Sequence, residues 1–171
     1  MKTKLLLFTF ISVLATTQSF AQIITFSLLK SCNSYDRKGF TDEFAKKRFY
    51  VVEESVKKAN NKLLEGGTLY SNQKERDLGI AEINVLSVIN ETKKITEISF
   101  LKGSKYDYTK NYGDLYTQMN SMFTKTASFQ SKKCKTEVNT FTKDKVYYYA
   151  FKLNDVPYIV VANYKIEEDY F

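Results

Sequence analysis

Residues 146–164 read VYYYAFKLNDVPYIVVANY, in which two apolar, aromatic and β-branched runs flank Asn154-Asp155. Such a dipeptide between two β-rich runs predicts a hairpin with a two-residue turn. Because side chains alternate across a strand, this turn places four opposed pairs on one face. The pairs are Leu153 with Val156, Phe151 with Tyr158, Tyr149 with Val160, and Tyr147 with Ala162. We therefore expect the hairpin to form part of an antiparallel sheet.

The aromatic face of this hairpin has two interpretations. Aromatic residues are common in strands, so the face can simply be core. Alternatively, it is a platform that stacks a ligand, because tyrosine combines a large apolar ring with a hydroxyl group. The candidate binding residues are then Tyr147, Tyr149, Phe151 and Tyr158. Pro157, the only proline, cannot donate to a β-ladder and indicates a sheet edge at this end of the second strand.

Helical patterns occur at three places in the chain. The longest spans residues 107–124, with Asp107 as its cap and one apolar stripe that we expect to pack on the sheet. That stripe consists of Tyr108, Tyr112, Leu115, Tyr116, Met119, Met122 and Phe123. Two shorter helices are predicted at 25–33 and at 41–47, the second with Thr41 as its N-cap.

Strand patterns follow the helical patterns in both halves of the chain. The first set is predicted at 49–53, 68–71, 80–89 and 95–101, and the second begins at 129 and 134–140 and continues into the hairpin. Helices followed by about four strands, twice, predict an α+β fold with helices packed on one face of antiparallel sheet. We expect a single domain over 22–171, divisible into halves 22–103 and 104–171.

This outline resembles the tandem fold of β-lactamase inhibitor proteins. In that family a helix-loop-helix precedes a four-stranded antiparallel sheet, and the unit occurs twice. The segments 25–33 and 41–47 would form the first helix-loop-helix. The resemblance is topological, and it implies no binding residue because no inhibitory-loop motif is present. It also departs at the cysteines: the family usually has a disulfide within each repeat, whereas Cys32 and Cys134 lie in different halves.

The N-terminus has the pattern of a secretory signal peptide, with two lysines, an apolar run over 5–15 and a cleavage motif ending at Ala21. The run is too short to span a membrane, and no other segment approaches the required length. We therefore expect a periplasmic or secreted protein that does not span the membrane. The alternative, a lipid anchor at Cys32, is disfavoured because Lys30 does not fit a lipoprotein cleavage box.

Cys32 and Cys134 are the only cysteines. An even number in an exported chain predicts a disulfide between them. The alternative is two buried free thiols.

Composition argues against several function classes. The formal net charge is +7, and +5 without residues 1–21, but the lysines are scattered and form no nucleic-acid-binding motif. The chain has no histidine, which removes the commonest general base and most zinc sites, and no nucleotide-binding glycine motif. We therefore predict no cofactor and no metal site.

The sequence favours a non-catalytic binding or interaction protein of the bacterial cell envelope, with a protein or glycan partner. The alternative is a carboxylate-dependent hydrolase acting on envelope or polysaccharide substrates, with two acids facing each other across a cleft.

Overall fold

The computed structural model describes residues 23–59, 62–73, 82–103, 107–132 and 135–171. Over these ranges eight strands form one antiparallel sheet, and three α-helices pack on one of its faces. The α+β prediction is therefore confirmed. None of the described helices has the length and apolarity that crossing a membrane requires. The predicted signal peptide, residues 1–21, lies outside the described ranges.

The elements follow one another in a simple order. The helices are α1 (Phe26–Ser31), α2 (Arg37–Lys46) and α3 (Thr109–Met122). The strands are β1 (Tyr50–Glu53), β2 (Thr68–Ser71), β3 (Ile83–Ile89), β4 (Lys94–Phe100), β5 (Thr124–Gln130), β6 (Glu137–Lys143), β7 (Val146–Leu153) and β8 (Val156–Ala162). Short 3₁₀ turns occupy Lys62–Leu64 and Glu168–Tyr170.

The strand order is β1-β2-β3-β4-β8-β7-β6-β5, with every neighbouring pair antiparallel. Each half of the chain therefore builds one four-stranded meander, and the two meanders join through their last strands. At this seam Ile98 of β4 lies opposite Ile159 of β8, and both are fully buried. The two halves thus have equivalent topologies within one continuous sheet.

The β7–β8 hairpin has the register predicted from its sequence. All four predicted pairs are present, from Leu153 opposite Val156 to Tyr147 opposite Ala162. Asn154 and Asp155 have φ values of 49° and 63°, the left-handed conformation that a tight hairpin turn requires. Although β8 is a central strand, its ladder with β4 ends at Tyr158, next to the proline that cannot donate to it.

The second predicted helix begins earlier than its sequence pattern indicated. Helix α2 starts at Arg37, and Asp36 is its N-cap, accepting a hydrogen bond from the backbone N–H of Gly39 at 2.7 Å. Thr41 is therefore not a cap but lies inside the helix, where its hydroxyl donates to the carbonyl oxygen of Arg37. Thr25, in contrast, caps α1 by accepting from the N–H of Leu28 at 3.1 Å.

Helix α3 places most of its apolar stripe on the sheet, as predicted. Leu115, Met119 and Phe123 are buried, and the three tyrosines of the stripe pack at the margin of the core. Met122 is the exception, with 57% of its surface exposed. Asp107 accepts hydrogen bonds from the backbone N–H and the hydroxyl of Thr109 at the start of the helix. The next strand, β5, begins directly after α3 rather than at Phe129.

Aromatic rings dominate the core between the helices and the sheet. Phe40 and Phe44 of α2 stack with their centroids 4.3 Å apart, and Phe44 also contacts the rings of Phe49 and Tyr70. The contact with Phe49 accompanies a Schellman turn, in which the N–H of Phe49 donates to the carbonyl oxygen of Phe44. This turn ends α2 and directs the chain into β1.

The predicted disulfide between Cys32 and Cys134 is not found. Cys32 carries a free thiol that is completely buried in the core beneath the helices, and its Sγ lies 3.4 Å from the carbonyl oxygen of Leu28. Burial raises the pKa of this thiol to about 12, because the apolar surroundings disfavour the thiolate. Cys134 lies outside the described residues.

We expect Cys32 to resist alkylation in the folded protein. The thiolate is the reactive species, and at pH 8 almost none forms when the pKa is about 12. Iodoacetamide labelling followed by peptide mapping should find Cys32 unmodified in the native protein and fully modified in guanidinium chloride. Rapid labelling of native Cys32 would contradict its burial, and an unmodifiable Cys32 in denaturant without reductant would indicate a disulfide.

Candidate binding groove

The second face of the sheet, opposite the helices, has a core of its own. It is covered at one end by the loop 54–67, of which residues 54–59 and 62–67 are described, and at the other by the C-terminal segment 163–171. Leu64 anchors the loop over β3 and β4, and it is fully buried. Ile166 and Phe171 anchor the C-terminal segment and are 2% and 3% exposed. A central part of this face remains open between the two coverings.

Glycines shape the loop over β3 and β4. Gly66 has a φ of 81°, which glycine adopts without strain. A Cβ at Gly67 would lie 2.8 Å from the carbonyl oxygen of Ser87, so only glycine lets the loop approach β3 this closely. The loop is closed by hydrogen bonds in which Val56 donates to the Gly67 carbonyl and Gly66 donates to the Val56 carbonyl.

All four candidate platform residues lie on this second face, but the structure separates them into two groups. Tyr149 and Phe151 are buried, at 1% and 6% exposure, under the C-terminal segment. Tyr147 and Tyr158 are half-buried. The platform is therefore mainly core, and of the four residues Tyr158 lines the open part of the face.

The C-terminal segment 163–171 binds the platform through one ring and one hydrogen bond. The Phe171 ring contacts those of Phe129, Tyr149 and Phe151 at centroid distances of 5.8, 4.8 and 5.5 Å. The Tyr149 hydroxyl accepts a hydrogen bond from the backbone N–H of Ile166 at 2.7 Å. Burial raises the pKa of Tyr149 to about 12, so this hydroxyl stays protonated at neutral pH.

A groove of about 330 Å³ occupies the open part of the second face. Its floor is formed by β2, β3 and β4, one wall by the loop 54–67, and the other by the start of β8. The lining residues are Glu53, Val56, Lys58, Ala59, Leu69, Asn84, Leu86, Glu97, Ser99, Leu101, Val156 and Tyr158. This groove is the candidate functional site.

Two rows of paired residues cross the floor of the groove. In one row Leu69 lies opposite Leu86, which lies opposite Glu97. In the other, Asn84 lies opposite Ser99, which lies opposite Tyr158. The first row is mainly apolar and the second mainly polar, so the floor offers both kinds of surface side by side.

Tyr158 stands at the end of the polar row. Its ring is parallel to that of Phe151, with a centroid distance of 5.3 Å and an interplanar angle of 8°. Phe151 is in turn held by Phe171 of the C-terminal segment. The wall of the groove is therefore a rigid aromatic stack, supported from behind by buried rings.

Asn84 carries an acceptor that has no partner. Its Nδ2 donates to Glu82 at 2.8 Å, but its Oδ1 is buried and accepts no hydrogen bond from any residue that the structure describes. A buried acceptor without a partner costs roughly 1–3 kcal/mol, and such atoms are rare in folded proteins. Because this atom is buried, a ligand hydroxyl in the groove reaches it only when the neighbouring side chains shift, and the new hydrogen bond would then remove this cost.

The charged groups of the groove are two carboxylates and one amine, from Glu53, Glu97 and Lys58. Glu53 and Glu97 lie on β1 and β4, three strand spacings apart, which corresponds to about 14 Å between their Cα atoms on a flat sheet. Across the described ranges, no group of three or more His, Cys, Asp or Glu residues is arranged to hold a metal ion.

Two other depressions of about 310 Å³ lie at the margins of the fold. One is bordered by Gln130, Lys132 and the 3₁₀ turn of the C-terminal segment. The other lies between Asp36, Arg37 and the β3–β4 turn. Neither has a floor built from several strands or a partnerless polar atom in its lining, and so the groove is the better candidate.

Most groove residues were not singled out from the sequence. One available signal was Glu97, a charge within the apolar strand segment ITEISF. Its position in the alternation places it on the face opposite Ile98, away from the helices. The loop residues Val56, Lys58 and Ala59 gave no such signal, because only the folded loop brings them beside the sheet.

Comparisons with known proteins add no assignment. No protein-family model matches the sequence, and no curated protein or solved structure shows significant similarity to it. The function is therefore inferred from the groove and from the sequence.

Proposed function

We propose that this protein is an exported, non-catalytic binding protein of the bacterial cell envelope, and that the groove on the second sheet face receives its ligand. Export and envelope location rest on the signal-peptide pattern of residues 1–21. The observation that carries the binding site is a groove of about 330 Å³ in which Asn84 Oδ1, without a partner among the described residues, lies in the same row as Tyr158. Ligand pockets commonly range from about 300 to 1,000 Å³.

The groove favours a short saccharide segment over a protein partner. The groove has room for a few sugar rings at most. A stable protein interface covers about 800 Å² on each partner, which is a larger surface than the groove offers. Sugar hydroxyls donate hydrogen bonds, which suits Asn84 Oδ1 and Ser99. The apolar face of a sugar ring suits Tyr158 and the leucine pair Leu69–Leu86. The ligand chemistry we propose is therefore an envelope glycan.

We expect Tyr158→Ala and Leu86→Arg to weaken glycan binding about tenfold or more, because a tenfold loss requires only about 1.4 kcal/mol. The first removes the aromatic wall and the second fills the floor with a charged side chain. Isothermal titration with soluble peptidoglycan fragments and envelope oligosaccharides measures the affinity. The matched control is Tyr147→Ala, which removes a half-buried tyrosine on the same face but outside the groove.

Three outcomes distinguish a glycan bound in the groove from a ligand bound elsewhere and from a protein partner. Binding by the native protein and by Tyr147→Ala, with loss in both groove variants, supports the proposal. Equal binding by all four proteins would place the ligand elsewhere and contradict it. If no saccharide binds, and one envelope protein is captured in a groove-dependent way, the glycan is rejected and a protein partner is left.

The resemblance to β-lactamase inhibitor proteins stays a prediction.

The hydrolase alternative is supported by one observation, that Glu53 and Glu97 line the same groove. Glycosidases place their two carboxyl groups roughly 5–9.5 Å apart, whereas the backbones of these residues are separated by about 14 Å. Both side chains would have to lean across β2 and β3 to reach a catalytic separation. Product release from the same saccharides, abolished by Glu97→Gln, would favour the hydrolase over the binding protein.

A further inference from the structure

The first strand of the sheet, β1, is an exposed apolar edge. Among the described residues six large apolar side chains are exposed, and three of them, Tyr50, Val51 and Val52, are consecutive on β1. Their exposed fractions are 41%, 44% and 39%. Among the described strands β1 is the outermost, and it pairs on one side only, with β2. An apolar edge strand of this kind is a template for pairing with another strand.

The other edge of the sheet has a different chemistry. Strand β5 reads TKTASFQ, and its exposed positions are Thr, Ser, Lys, Ala and Gln. Its one large apolar residue, Phe129, is half-buried against Phe171. Lys125 and the bulge between Lys125 and Ala127 are features that protect an edge from association. The two halves of the chain are topologically equivalent, yet only the first half leaves its edge apolar.

Unpaired charges of opposite sign lie at the two ends of β1. Arg48 precedes the strand, and Glu53 and Glu54 end and follow it. All three are exposed, and none of them forms an ion pair within the described part of the chain. Arg48 and Ser55 have φ values of 62° and 56°, so the chain turns at both ends of β1. Strand β1 is therefore a short edge strand.

We propose that β1 pairs antiparallel with β1 of a second copy of this protein, across a two-fold axis. Antiparallel pairing about an axis near the middle of the strand places the start of β1 in one copy beside the end of β1 in the other. Arg48 of each copy then lies close to Glu53 and Glu54 of the other copy. The pairing shelters part of the three exposed apolar side chains and makes the charges at the strand ends complementary, as a self-complementary interface requires.

The geometry also limits the strength of this contact. Strand β1 has four residues and an irregular register between Val51 and Glu53. The contact is therefore smaller than the roughly 800 Å² per partner of a standard interface. We infer a reversible dimer that depends on protein concentration, in which the two sheets continue across the axis. The inference does not rest on the proposed glycan function, but Glu53 also lines the groove, so the Glu53→Arg variant tests dimerisation only.

Charge-reversal variants test this pairing by sedimentation velocity over a concentration series. The native protein should shift from monomer to dimer as its concentration rises. Arg48→Glu should weaken the dimer about tenfold, because two attractive pairs become repulsive in the symmetric contact. Combining Arg48→Glu with Glu54→Arg, or with Glu53→Arg, should restore it. Ser128→Glu on β5 is the matched control and should leave dimerisation unchanged.

Rescue distinguishes strand pairing from a general effect of charge. Restoration by one of the two double variants supports the proposal and identifies the glutamate that faces Arg48. A native protein that stays monomeric at millimolar concentration would overturn it, as would a dimer that neither double variant restores. The substituted charges are on exposed side chains, and unchanged melting temperatures would show that each variant is folded.

Discussion

Phe44→Ala is expected to lower the free energy of unfolding by about 3–5 kcal/mol, the usual range for removing a buried phenylalanine. Phe44 is fully buried, and its ring contacts those of Phe40, Phe49 and Tyr70 at 4.3, 5.3 and 5.9 Å. These residues come from α2, from the turn after it and from β2. The substitution therefore leaves a cavity where three parts of the first half meet.

The position of Phe44 in the Schellman turn adds to this effect. Its carbonyl oxygen accepts from the N–H of Phe49, and the two rings hold the turn closed on the side of the core. Loss of the ring should loosen β1 as well as α2. Urea denaturation followed by circular dichroism measures the change. Met122→Ala, at an exposed position, is the control and should change stability by less than about 0.5 kcal/mol.

A loss below about 1 kcal/mol for Phe44→Ala would contradict the packing described for this core, because relaxation does not normally refill a cavity of that size.

Phe171→Ala is expected to detach the C-terminal segment 163–171 from the second face, at a cost of about 2–3 kcal/mol, the contribution of one fully buried aromatic side chain. The ring is 3% exposed and contacts three other rings. The cost is lower than for Phe44 because the segment can leave without opening the sheet. Its other described anchors are Ile166, the hydrogen bond to Tyr149 and, at the start of the segment, the hydrogen bonds that join Asn163 to Thr92 and Lys94.

Exchange of backbone amide hydrogens measures this detachment directly. The N–H of Ile166 should exchange faster in Phe171→Ala, because its bond to the Tyr149 hydroxyl is lost when the segment moves away. Exposure of Tyr149 and Phe151 should also increase binding of a hydrophobic dye. The exposed neighbour Lys165 provides the control, and Lys165→Ala should change neither quantity. Unchanged exchange at Ile166 in Phe171→Ala would show that the ring does not hold the segment.

The hairpin could be predicted to the residue because its determinants are local. A two-residue turn fixes which residues oppose one another, and a slip of one position would turn the aromatic face over. The start of α2 could not be predicted in the same way. Asp36 and Thr41 are both acceptable caps. Asp36 is chosen because a helix beginning at Arg37 brings Phe40 into the core, where it stacks on Phe44.

The candidate site depended on contacts between distant parts of the chain. The tyrosine platform was correctly placed on one face, but burial of Tyr149 and Phe151 depends on a segment whose order the sequence pattern did not reveal. The groove needs β2, β3, β4, β8 and the loop 54–67 together. No local pattern specifies which part of a two-sided sheet will be covered, because that depends on where loops return after the strands have paired.

Local patterning by itself determined the α+β class, the repeated order of helices and strands, and the register of the β7–β8 hairpin. These follow from side-chain periodicity and turn chemistry, which act over a few residues. The tertiary structure alone decided that the two meanders join at β4 and β8, that Cys32 is a buried free thiol, and that the second face keeps an open groove. Each of these depends on surfaces that meet only after the chain has folded, because burial and strand pairing across halves are non-local.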